Sequence, residues 1–101
     1  MIARAWHGIT PASKAEDYRR YMLDTAVKEL QAVPGNRGVY FLRRIEGDVA
    51  HFQFITLWDS YDAIRRFAGP DYERAVYYPE DKSFLLELEP HVTHYEVLAH
   101  P

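Results

Sequence analysis

The sequence has no cysteine. That excludes disulfides, thiolate nucleophiles and thiolate metal sites together. It has no apolar run near the roughly 20 residues that cross a bilayer as a helix. Its opening stretch, MIARAWHGITP, lacks the apolar core of a secretory signal. The expected setting is soluble and cytoplasmic, without a membrane partner. Basic residues are not in excess: 12 Lys and Arg stand against 15 Asp and Glu, a formal charge of −3. No basic stripe runs along the chain, so nucleic acid is not an expected partner. Glycines number only five and read as turn residues. No phosphate-cradling glycine loop, P-loop or nucleophile elbow is present, and there are no internal repeats or linkers.

What the chain does have is aromatic residues, 15% of 101, which is generous for its length. Residues 1–101 read as a single small domain. A domain of this size buries well under three quarters of its unfolded surface, so its core is thin. The surplus aromatic surface implies a ligand pocket or a partner subunit.

MIARAWHGI alternates and is rich in strand formers, predicting a first strand over Ile2 to Ile9. The next stretch predicts a helix. Pro11 precedes it, Ser13 with Glu16 makes a capping box, and Pro34-Gly35 ends it. Tyr18, Met22, Ala26 and Leu30 recur four apart, widened by Leu23, Val27 and Val33 into a sheet-facing stripe. A hairpin follows, Val39 to Ile45 and Val49 to Trp58, turning at Gly47. Both strands are apolar at nearly every position, which predicts burial on both faces. DSYDAIRRFAG predicts a second helix, capped by Asp59 or Ser60 and closed by Gly69-Pro70. DYERAV predicts a further helical turn, EDKSFLLEL another, and HVTHYEVL the last strand, with Pro90 at its start. The order β-α-β-β-α-β predicts an α+β, ferredoxin-like fold: a four-stranded antiparallel sheet with helices on one face. A second copy is expected to cover the other face in a two-fold homodimer.

With HFQFITLWDSYDAIRRFAGPDYERAV, an apolar strand ending in Trp58 followed by a capped helix, the chain resembles the antibiotic biosynthesis monooxygenase family of the dimeric α+β barrel superfamily. The resemblance spans almost the whole chain and marks the fold better than the reaction. The family includes cofactor-free oxygenases of polycyclic aromatics and haem-degrading enzymes. The haem-degrading branch has an Asn, a Trp and a His at places that fall here on His7, Phe67 and Tyr77, and none of the three matches. Tyrosinate ligation of haem by Tyr77 is the weaker alternative.

The resemblance implies a cofactor-independent monooxygenase acting on a small electron-rich aromatic, with a base, a water-excluding pocket and donors for the anion. His7 is expected on the helix-facing side of the first strand, beside Ala3 and Ala5, as the general base. Phe54, Phe67, Tyr72 and Tyr77 are expected as walls, with Trp58 supporting the corner and Tyr78 a further candidate. Arg4 and Trp6 share the opposite face of that strand and are expected in dimer packing. His91 and His94 have the look of a metal pair, but residues three apart on a strand face opposite ways, and no further ligands accompany them. His51 shares a face with Gln53, and His94 with Glu96, as members of a structural polar network. The alternatives are a non-oxidative binding protein or acid–base enzyme, and a haem-binding protein with degenerate ligands.

Overall fold

Eight regular elements build the chain in the computed structural model, which describes residues 1–101. Strand β1 (Ile2–Pro11) leads through a 3-10 turn (Ala12–Lys14) to helices α1 (Ala15–Asp24) and α2 (Ala26–Ala32). The hairpin β2 (Asn36–Glu46) and β3 (Val49–Trp58) follows, then α3 (Tyr61–Ala68), a single turn α4 (Asp81–Phe84) and β4 (Thr93–Glu96). The sheet runs β2-β3-β1-β4, antiparallel throughout, with the helices on one face. This is the expected ferredoxin-like arrangement. No helix is long and apolar enough to cross a membrane.

Ile2 and Trp6 of β1, with Phe52, Phe54 and Trp58 of β3, point inward to meet Tyr18, Met22, Ala26 and Leu30. Those four helical residues are the four-apart stripe read from the sequence. Aromatic edges and faces fill the layer: Tyr18 meets Phe52 edge-on at 5.0 Å between centroids, and Phe41 stacks on Phe54 at 4.7 Å.

Several boundaries differ from expectation. The long helix is interrupted at Thr25, whose hydroxyl donates to the Tyr21 carbonyl at 2.7 Å; such back-bonding by a β-branched residue bends a helix. The capping box does not form. Pro11 is still in the sheet opposite Val49, and Ala12 N–H donates to the Asp48 carbonyl at 2.7 Å. Glu16 turns outward to pair with Arg19 and Arg43 instead. The Ser60 cap does form, its Oγ accepting from Ala63 N–H at 3.2 Å.

The last strand is shorter than predicted, because residues 90–92 pair elsewhere. Ala75 N–H donates to the Pro90 carbonyl and Val92 N–H to the Glu73 carbonyl, both at 2.8 Å. DYERAV makes one hydrogen-bonded turn, Arg74 N–H donating to the Asp71 carbonyl at 3.1 Å, and this bridge then draws Arg74 and Ala75 away from any continuing helix. Gly8 and Gly38 lie in strands, and Gly8 is the crowded one. A Cβ there would sit 2.3 Å from Cη2 of Trp6, so its bare backbone is what lets the indole lie across β1.

Candidate functional site

The inward set of β1 is Ile2, Arg4 and Trp6, and Ala3, Ala5 and His7 point to the open face. This reverses the expected facing of the strand, and it moves the candidate base out of the helix side. The reason is area: burying isoleucine and tryptophan removes far more apolar surface from water than burying two alanines. Arg4 is carried inward with them. It is 4% exposed.

Between sheet and helices lies a cavity with nine apolar residues among its twelve. Arg4, Trp6, Phe54 and Thr56 come from the sheet. Met22, Ala26, Leu30 and Phe67 come from the helices. Val76, Tyr78, Asp81 and Val92 come from the segment joining α3 to β4. The space is about 40 Å³ as it stands, room for a few waters.

Three of its polar groups are unusual. Arg4 donates through Nη1 to the Tyr72 carbonyl and meets Nε2 of His94 at 3.1 Å; Nη2 donates to the Arg74 carbonyl at 2.9 Å. Its guanidinium carbon stands 5.9 Å from the centroid of the Phe67 ring. No carboxylate pairs with it. Burial lowers its pKa to about 10, which still leaves it charged at neutral pH. His94 is held neutral: burial, and then the Arg4 charge, lower its pKa to about 4. Its Nε2 can therefore accept from the guanidinium.

Asp81 is 1% exposed. Its carboxylate accepts from Tyr78 N–H at 2.5 Å and from the Tyr18 hydroxyl at 3.4 Å. Burial raises its pKa above the usual carboxylate value, against the pull of those two donors. Tyr78 lines the same cavity; its hydroxyl is buried and lies near the Glu29 carboxylate, but makes no hydrogen bond of regular geometry. Burial first, and then the Glu29 carboxylate, raise its pKa, so it stays a donor.

Of the expected wall residues, Phe54 and Phe67 line the cavity. Trp58 does not line it. The indole stacks behind Phe67 at 5.6 Å and donates to Thr56 Oγ1 at 2.8 Å. Tyr72 offers only its carbonyl to Arg4, while its ring packs outside against Tyr61 and His94. The Tyr77 hydroxyl accepts from Trp6 Nε1 at 3.3 Å and donates to the Glu89 carbonyl at 2.5 Å, tying the indole to the segment that walls the cavity. Neither of these two tyrosines is a wall.

His7 lies outside this cavity. On the open face its Nδ1 is 2.7 Å from Glu89 and its Nε2 is 3.2 Å from His51 Nδ1, with the two rings stacked. His51 thus joins a polar cluster, though with His7 and not with His94, which lies against Arg4. The sequence reading missed Arg4, Thr56, Asp81 as cavity residues. Arg4 was legible in principle: it shares its face with Trp6, the largest side chain of β1. Tyr78 was a candidate by residue type alone, and Asp81 carried no signal, because an irregular segment delivers both.

No protein-family model matches the sequence, and no curated protein matches it. Solved structures do. The haem degrader MhuD (Rv3592) of Mycobacterium tuberculosis, solved with two haems in its active site, aligns over 100% of this chain and 99% of its own, with TM-score 0.68 and 18% identity. Rv0793 of the same organism aligns over 99% and 98%, with TM-score 0.61 and 17% identity. A Bacillus cereus protein provisionally assigned as an antibiotic biosynthesis monooxygenase aligns over 99% and 93%, with TM-score 0.58 and 10% identity. The chain therefore has the fold of the antibiotic biosynthesis monooxygenase proteins.

Proposed function

We propose that the protein is a cofactor-independent monooxygenase of a small electron-rich aromatic, working in the cavity between sheet and helices. The observation that carries this reading is the pairing, in one apolar cavity, of a buried carboxyl with raised proton affinity and a phenolic hydroxyl that makes no regular hydrogen bond in the protein. Asp81 takes the proton of an acidic C–H or O–H group, a role that a carboxylate performs better as its pKa rises toward neutrality. The Tyr78 hydroxyl donates to the anion that forms, and the apolar walls keep water from it. The anion gives one electron to O₂, and the radical pair joins as a hydroperoxide, which takes the proton back. Loss of water leaves a carbonyl. A methylene and O₂ become C=O and H₂O, with no outside reductant.

An aromatic ligand needs more room than about 40 Å³. The wall that can yield is the segment joining α3 to β4, whose regular structure is one helical turn and one bridge. Haem, bound by MhuD, fits poorly here: the cavity is small and no histidine lines it. The same proposal includes a homodimer through the open sheet face, where Tyr40, Leu42 and Tyr95 are 52, 49 and 56% exposed.

Oxygen uptake with anthrone- and quinol-type substrates tests the reaction. Asp81→Asn keeps the shape of the side chain and its acceptor for Tyr78 N–H. It should lower the uptake rate roughly 100-fold or more with little change in melting temperature. No uptake by the wild type with any such substrate defeats the oxygenase reading and leaves the non-oxidative alternatives. A sharp Soret shift at one equivalent of haemin would favour the haem alternative.

A further inference from the structure

We propose that the ligand of this cavity is an aromatic acid whose carboxylate is seated on Arg4. The inference rests on the placement of the ligand between sheet and helices, but not on the oxygenase chemistry. Its ground is an accounting of charge and donors around one side chain. A guanidinium has five N–H groups. Tyr72, Arg74 and His94 engage three of them, which leaves two without a partner in the protein.

A buried cation is costly unless it is paired, and arginine is almost never buried this deeply without a carboxylate. Here the groups around it are two carbonyls, a neutral imidazole and an aromatic ring. These orient the guanidinium without neutralising it. The one carboxylate lining the cavity, Asp81, makes no ion pair with it and is occupied by Tyr78 N–H and Tyr18. The protein thus holds a fixed, oriented, uncompensated positive charge against an apolar cavity. A planar carboxylate is the group that matches a guanidinium fork best.

The remainder of the ligand follows from the other walls. Trp6, Phe54 and Phe67 fit a flat apolar body. The Tyr78 hydroxyl, which makes no regular hydrogen bond in the protein, fits a second oxygen on that body in competition with the Glu29 carboxylate. An aryl carboxylate bearing a hydroxyl or keto oxygen satisfies the guanidinium and the phenol together.

The test uses 1-naphthoate and 1-naphthalenemethanol as a charged and a neutral probe of similar shape, titrated into the full chain by calorimetry. The wild type should bind naphthoate roughly 10- to 100-fold tighter than the alcohol, the range expected of a charge-assisted pair. Arg4→Gln should abolish the preference, and Arg4→Lys should keep part of it. Because Arg4 also holds Tyr72, Arg74 and His94, the glutamine variant can lose its fold. The wild type then decides alone: the Arg4 Nε–H resonance should move with naphthoate and stay still with the alcohol.

Equal affinity for both probes, no binding of either, or an unmoved Arg4 resonance overturns the proposal. So does a preference that survives in a well-folded Arg4→Gln. Tight naphthoate binding without oxygen uptake by any tested substrate would leave this inference standing while the oxygenase reading falls.

Discussion

Two side chains show how little room single residues have here. Gly8 lies under the Trp6 indole, and any Cβ placed there meets it at 2.3 Å. Gly8→Ala should therefore cost about 1–3 kcal/mol through overpacking and alter the near-ultraviolet circular dichroism of Trp6; chemical denaturation measures the first. His94 gives a pH signature. Its folded pKa of about 4 lies below its unfolded 6.5, so the folded state binds fewer protons between those values. Its contribution is fully present above pH 6.5 and is lost as pH falls from 6.5 to about 4. Asp81, whose folded pKa is raised, works the other way: its contribution is present below its unfolded pKa and is lost as pH rises through the folded one. His94→Gln should therefore lose less melting temperature than the wild type as pH falls from 6.5 toward 4, measured by thermal denaturation across that range.

At the scale of elements, the helices on one face are set by short-range chemistry, which makes them separately testable. Ser60 caps α3 by accepting from Ala63 N–H, so Ser60→Ala should cost about 1 kcal/mol, read from the denaturation midpoint. Ser13 makes no such bond, and Ser13→Ala should change stability little. The two serines looked alike in sequence. They part because β1 runs on to Pro11 and consumes the residues that a cap at Ser13 would need. The Ser60 cap, the turn at Gly47 and the helical stripe from Tyr18 to Leu30 were legible because each depends on neighbours within a few positions. The shortened β4 was not, because Glu73 and Ala75 compete for residues 90–92 from a remote part of the chain.

The whole molecule presents two faces of opposite character. On one, the helices close a core. On the other, a polar cluster of His7, His51 and Glu89 lies toward one end beside Leu42, and Tyr40 and Tyr95 stand exposed toward the other. If a second copy covers this face as proposed, Leu42→Asp should shift the population toward monomers in light scattering, because an unpaired carboxylate would be buried in the interface. A wild type that stays monomeric at high concentration would contradict the proposed pairing.

The order of elements, the hairpin turn and the sheet-facing stripe of the first helix were determined by the sequence alone, since periodicity and turn chemistry act locally. Alternation along β1 was equally plain, but alternation yields two sets of residues without saying which is inside. Packing against the helices decided that, in favour of Ile2 and Trp6 over the alanines. With it came the exchange of roles between His7, turned outward, and Arg4, turned inward. Tyr78 and Asp81 reached the cavity only through long-range contacts of an irregular segment, which leave no periodic trace in the chain.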